Sequence, residues 1–105
     1  MQRGEVRWYR FARPDKQRPI VVLTRDSAIS FLGEVTVAPV TSTIRDIPTE
    51  VILDESHGMT RPCAVNLDHV QTVPKGRVGR LITTLDAGTM RDVARALAFA
   101  LDLRG

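Results

Sequence analysis

The chain has 105 residues, of which 43% are hydrophobic and 26% charged; that is enough for one compact domain burying roughly 65% of its unfolded surface, and too little for two independent cores. This composition argues against wholesale disorder, and no apolar run approaches the ~20 residues that span a bilayer, nor is there a signal-peptide pattern, so a cytoplasmic protein without a membrane segment is expected. A single cysteine, Cys63, rules out an internal disulfide, and His57 and His69 stand in none of the close pairings used by zinc sites, so no metal and no other cofactor is expected.

The formal net charge of +3 is unevenly placed. Residues 1 to 25 carry seven bases (Arg3, Arg7, Arg10, Arg13, Lys16, Arg18 and Arg25) against Glu5 and Asp15, while the remainder of the chain is net acidic. Thirteen of the fifteen bases are arginine, whose planar fork grips phosphate at two points and stacks on bases. The clustering points to a polyanionic partner, nucleic acid foremost. The preference for arginine over lysine, taken alone, reads equally as the mark of a GC-rich genome.

In chain order, Gly4 to Phe11 alternates loosely, with Val6, Trp8 and Arg10 on one face and Arg7, Tyr9 and Phe11 on the other, which predicts a first strand. Aromatics among arginines can stack unpaired bases, but half of a strand faces the core, and Trp8 is expected to be buried. Ala12 to Gln17 is a polar turn containing Pro14 and Asp15. The apolar run of Pro19 to Thr24 predicts a second strand, and Pro19 holds Arg18 in an extended conformation at its start. Asp26 to Gly33 reads as a short helical turn closed by Gly33. Glu34 to Thr41 predicts a third strand, which Pro39 places at a sheet edge or at a bulge.

Ser42 to Pro48 is a loop, Thr49 to Leu53 a further strand, and Asp54 to Pro62 an irregular connection in which His57 is expected to be solvated. Two short strands, Cys63 to Leu67 and His69 to Val73, or one bent strand, come next. Pro74-Lys75-Gly76 makes a turn, and Val78 to Ile82 predicts a last strand. From Thr83 to Gly105 the spacing predicts a helix with Asp86 as its N-cap and Met90, Val93, Ala94, Leu97, Ala98 and Leu101 as its apolar stripe. About six short strands and one terminal helix argue for an α+β fold built on a small, strongly curved antiparallel barrel.

An ordered set of segments carries a family signal. Arg3-Gly4-Glu5-Val6 with Trp8, Arg18-Pro19 before Ile20-Val21-Val22-Leu23, Val37-Ala38-Pro39-Val40-Thr41-Ser42, and Asp68-His69-Val70-Gln71-Thr72-Val73 before an amphipathic helix together resemble the MazF/PemK family of toxin endoribonucleases. The resemblance implies an SH3-like antiparallel β-barrel with a C-terminal α-helix, of the CcdB/PemK type, usually a homodimer. It implies metal-independent, sequence-specific cleavage of single-stranded RNA by attack of the 2′-hydroxyl, leaving 2′,3′-cyclic phosphate and 5′-hydroxyl ends. It also implies neutralisation by a cognate antitoxin with an acidic C-terminal segment.

For the site, the resemblance singles out Arg18 and Thr41 as catalytic. A guanidinium offers two parallel donors to phosphate oxygens but, with a pKa above ~12, is a poor base. Ser42 could support Thr41, although a Thr-Ser pair after a strand also reads as turn chemistry. Asp68 matches an aspartate that some relatives use with an arginine two residues earlier; Asn66 stands at that position here, which puts a proton-transfer role for this segment in doubt. His69 is the best acid or base by its ordinary pKa near 6.5, and reads equally as a packed, hydrogen-bonded residue. Arg7, Arg10, Arg13, Lys16 and Gln17 are candidate RNA contacts. In the family the loop between the first two strands is mobile and covers the site; here it is shorter than in many relatives and lacks the histidine that some place there. The rival functions are a non-enzymatic gyrase inhibitor like CcdB and a catalytically silent RNA-binding barrel.

Overall fold

Four consecutive apolar residues, Ile20 to Leu23, leave no polar face, and a strand of that kind must be covered on both sides. The computed structural model describes residues 1–12 and 17–103. In it Ile20, Val21 and Val22 are fully buried within β2 (Gln17–Val22). Neighbouring residues of β2 point to opposite faces and feed two separate cores. Val21 and Leu23 join Val6, Ala38, Val40, Leu53, Val65 and Leu67 in one; Ile20 and Val22 join Tyr9, Ile29, Val35, Val37 and Val73 in the other.

β1 (Glu5–Arg10) and β3 (Glu34–Thr41) flank β2, both antiparallel to it. β4 (Glu50–Leu53), β5 (Cys63–Asn66), β6 (Gln71–Pro74) and β7 (Leu81–Thr84) complete a curled sheet in the order β4-β5-β3-β2-β1-β7, with β6 also paired to β3. α1 (Asp26–Ile29) is a single turn that contributes Ile29 to the second core. α2 (Ala87–Ala100) lays Val93 and Ala96 on the first core, with Met90 and Leu97 packed beside them. The fold is the expected α+β barrel with a C-terminal helix.

Several boundaries differ from the sequence reading, each for a physical reason. The described strands number seven; the last runs from Leu81 to Thr84 and not from Val78 to Ile82, and the helix starts at Ala87 and not at Thr83. Asp86 is indeed its N-cap, its carboxylate accepting from the Thr89 amide at 2.8 Å, and capping fixes where a helix can begin. Residues 63 to 74 form two strands broken by a 3-10 turn at Leu67–His69, so His69 lies in a turn and not in a strand. α1 ends at Ile29, before Gly33. Trp8 is only half-buried; the aromatic in the core is Tyr9. α2 ends at Ala100 with Leu101 as its C-cap, short of the run to Gly105 that the sequence predicts.

Pro39 is neither at an edge nor at a register shift. Its register with β2 is continuous, Ile20 opposite Pro39, Val21 opposite Ala38 and Val22 opposite Val37. On its other side β3 pairs with β6 over residues 34 to 37 and with β5 over residues 40 and 41. The Leu23 amide donates to the Thr36 carbonyl at 2.9 Å, so in an antiparallel ladder even-numbered residues of β3 bond toward β2 and the nitrogen of Pro39 faces away from it. The missing donor therefore falls where β3 changes partners, and costs no ladder bond. The bulge in this sheet is elsewhere: β1 and β7 shift register between Val6 and Arg7.

Candidate active site

β2 and β3 run antiparallel, so the start of one and the end of the other share an edge of the sheet. The Ile20–Pro39 pair fixes the register there, and two residues further out along each strand lie Arg18 and Thr41. By pleat alternation they sit on the same face as Ile20 and Pro39. Across the other ladder Arg18 is opposite Tyr9. Arg18 is exposed and Thr41 half-buried, both open to a ligand. The Thr43 amide donates to Thr41 Oγ1 at 3.1 Å; this orients the hydroxyl and leaves its proton available for donation. Ser42 follows on the surface.

Asp68 and His69 lie in the 3-10 turn that crosses β3 between β5 and β6, and both are exposed. Asp68 is held twice: its amide donates to Asn66 Oδ1 at 3.0 Å and its Oδ2 accepts from Thr49 Oγ1 at 2.6 Å. Asn66, at the position where some relatives have an arginine, thus serves as the cap of this turn. Thr49, which sequence reasoning passed over, fixes the Asp68 carboxylate from 19 residues away.

The basic candidates divide. Arg10 and Gln17 pair across the end of the β1–β2 ladder, exposed, on the strand ends next to Arg18. Arg7 is half-buried, its Nε 2.8 Å from Glu5 and its Nη1 donating to the Gly79 carbonyl at 2.9 Å, so it braces β1 against the segment before β7. Burial pushes the Glu5 carboxyl up, but the Arg7 hydrogen bond, the Gln2 backbone bond and the Arg7 charge together outweigh this and leave it below its ordinary value. Arg13 and Lys16 lie outside the described residues. An unforeseen cation is Arg77, whose guanidinium stands 6.0 Å from the centre of the Tyr9 ring. Nothing in the local sequence signals it, because the contact joins residues 68 apart through the closing of the barrel.

His57 is not simply solvated: its Nδ1 accepts from the Asp54 amide at 3.0 Å, completing a capping box around a 3-10 turn. Ser56 Oγ donates to the Asp54 carboxylate at 2.6 Å, not to the histidine, so this Asp-Ser-His cluster is a cap and not a nucleophile. Among the described residues no three His, Cys, Asp or Glu side chains cluster to hold a metal ion, and no helix is long and apolar enough to cross a membrane.

Residues 2–101 match the profile of the PemK-like, MazF-like toxins of type II toxin-antitoxin systems. The endoribonuclease MazF3 of Mycobacterium tuberculosis is 41% identical over 92 residues, covering 88% of this chain and 89% of the relative. Among solved structures, the Mycobacterium tuberculosis toxin MazF-mt6 superposes with a TM-score of 0.88 at 37% identity, over 96% of this chain and 99% of that one. A mycobacterial endoribonuclease in complex with its cognate antitoxin gives 0.88 at 27% identity, over 100% and 98%.

Proposed function

The chain belongs to the PemK/MazF toxin family of type II toxin-antitoxin systems, and from that premise we propose that this endoribonuclease cuts single-stranded RNA at the edge where Arg18 and Thr41 meet. The observation that supports this reading is their placement: one exposed cation and one oriented hydroxyl, on one face, at adjoining ends of two antiparallel strands.

RNA carries its own nucleophile. The 2′-oxygen forms a bond to the adjacent phosphorus as the bond to the 5′-oxygen breaks; the 2′-proton leaves to a base, and a proton reaches the departing 5′-oxygen. The products are a 2′,3′-cyclic phosphate and a 5′-hydroxyl. The protein has to align the strand and stabilise the charge gathering on the non-bridging oxygens, which does not call for a metal. Arg18 suits that task through two parallel N–H donors, and Thr41 adds a third donor from the neighbouring strand. Ser42, Asp68 and His69 are the supporting groups of this reading; Arg10 and Gln17, on the adjoining strand ends, would contact a phosphate backbone, and Arg13 and Lys16, outside the described residues, would add positive charge for it. A cognate antitoxin would cover the same edge with an acidic C-terminal segment, drawn by charge, and the pair would act in the cytoplasm.

The test is incubation of the purified chain with a long single-stranded RNA in excess EDTA, followed by analysis of the ends. Cleavage that survives chelation and leaves cyclic phosphate is expected. Arg18→Ala and Thr41→Ala should each lower the rate about tenfold or more, with circular dichroism unchanged, since one preorganised donor is typically worth at least that much. Undiminished turnover in both folded variants would remove the site.

A further inference from the structure

The face that carries Arg18 and Thr41 does not end at those two residues. Tyr9 stands directly across the β1–β2 ladder from Arg18, and opposed residues share a face with their side chains starting about 5 Å apart. Tyr9 itself is 5% exposed. Two groups close over its ring: Phe11 meets it edge-on, with ring centres 4.8 Å apart and planes at 69°, and the Arg77 guanidinium lies 6.0 Å from its centre. Phe11 is half-buried and Arg77 exposed. An aromatic step and a further guanidinium therefore adjoin the position given to the scissile phosphate.

The backbone that presents Arg77 is pinned on both sides. Before it, Lys75 donates its amide to the Gly33 carbonyl at 2.9 Å and its ammonium to the Ile29 carbonyl at 2.7 Å. After it, the Gly79 amide donates to the Trp8 carbonyl at 2.8 Å, and a Cβ at Gly79 would come within 2.9 Å of that oxygen. Only glycine lets the segment lie this close to β1. The side chain, by contrast, is left open. An arginine that braces the fold engages carboxylates and carbonyls, as Arg7 does with Glu5 and Gly79. Arg77 has no carboxylate partner among the described residues.

A guanidinium seated on an aromatic ring with its donors open suits a nucleobase. Unpaired bases of RNA are read by stacking on aromatic rings and guanidinium planes and by hydrogen bonds to their edges. Because a guanidinium only donates, it pairs twice with an edge that shows two neighbouring acceptors, O2 and N3 of cytosine or N7 and O6 of guanine. On uracil and adenine the acceptors alternate with donors, and the second bond is lost.

We propose that Arg77, seated on Tyr9 beside Phe11, is a specificity-determining residue: it receives the base of a nucleotide that flanks the phosphate at Arg18 and selects cytosine or guanine over uracil and adenine. This rests on the function proposed above and adds to it a choice of base.

The test uses short single-stranded RNA oligonucleotides that vary only at the base on either side of the cut bond. The full chain should prefer cytosine or guanine at one of these positions by about tenfold or more in kcat/KM. Arg77→Ala should lose that factor on the preferred base and change little on uracil or adenine. Arg77→Lys, which keeps the charge but not the fork, should lose the preference too, whereas Tyr9→Phe keeps the ring and should retain it. Removing one acceptor from the RNA, with 3-deazacytosine or 7-deazaguanine, should slow the wild type and leave Arg77→Ala unaffected; the wild-type half of that comparison needs no variant to fold. An equal loss on all four bases in Arg77→Ala would make it a phosphate contact and overturn the proposal, as would a preference that survives the substitution or a wild type indifferent at both positions. Fluorescence anisotropy with the same oligonucleotides separates the subsite from the reaction. Arg18→Ala should cut about tenfold or more slowly while binding the four bases in the same order. Base-selective binding without cleavage by the wild type would support the subsite and overturn the proposed function.

Discussion

Arg18 and Thr41 differ in how replaceable they are. A guanidinium grips two phosphate oxygens at once, whereas an ammonium is a point charge on a flexible stem. Arg18→Lys should therefore retain RNA binding but cleave about tenfold or more below the wild type in a single-turnover assay. Thr41→Ser keeps the hydroxyl and should retain most of the rate, whereas Thr41→Val, equal in shape but without the hydroxyl, should behave like Thr41→Ala. Their positions at the start of β2 and the end of β3 were legible in sequence, because a strand-opening Arg-Pro and a strand-closing Thr-Ser are local patterns; the role proposed for them came from the family resemblance. The surroundings of Asp68 were not legible. Its partner Thr49 sits on another element, and no spacing rule joins residues that meet only when β4 and β5 pair. Arg7, legible as one more base of a positive track, has its guanidinium engaged by Glu5 and Gly79.

At the scale of elements, the boundaries that held are those with local chemistry behind them. β3 runs from Glu34 to Thr41 as its alternation implies, and Asp86 caps α2. Asp86→Ala should lower the midpoint of chemical denaturation, while Asp86→Asn, which keeps a capping oxygen, should leave it nearly unchanged at pH 7. Thr83 to Leu85 could have extended the helical pattern backward, but cross-strand pairing with Glu5 and Val6 claims Thr83 and Thr84 for β7. Propensity yields to such pairing because strand neighbours bury more than the helix turn they replace. Pro39 gives the same lesson. A proline signals a missing donor, but whether the cause is an edge, a bulge or a change of partner depends on strands not yet paired when the sequence is read.

For the molecule as a whole, carboxylates tie its pieces together and set its response to acid. Asp86 lies below the ordinary carboxylate value because of the Thr89 amide and hydroxyl, and Asp54 because of the Ser56 hydroxyl and amide; Glu5 is also lowered, its burial outweighed by the Arg7 bond, the Gln2 backbone bond and the Arg7 charge together. Each holds its proton less tightly folded than unfolded, so the unfolded chain takes up protons first as pH falls. The stability they contribute is complete above the ordinary carboxylate range near pH 4 and is lost below it, as pH falls through the lowered folded values. Thermal melts should show a midpoint indifferent to these groups from pH 7 to about pH 5 and falling below about pH 4, with a shallower fall in Asp86→Asn; a midpoint that rises on acidification would contradict the assignment. Burial also pushes the Cys63 thiol up, which keeps it protonated and unreactive near neutrality.

By itself the sequence determined the strand-rich pattern, the capped terminal helix, the concentration of arginine near the start and the two residues at the ends of β2 and β3, because each of these is written in contacts between near neighbours along the chain. Only the tertiary structure decided that Pro39 falls where β3 changes partners, that Arg77 comes to lie against Tyr9, and that Thr49 holds Asp68. Those are meetings of residues far apart in the chain, and their geometry exists only once the sheet has curled and its register is set.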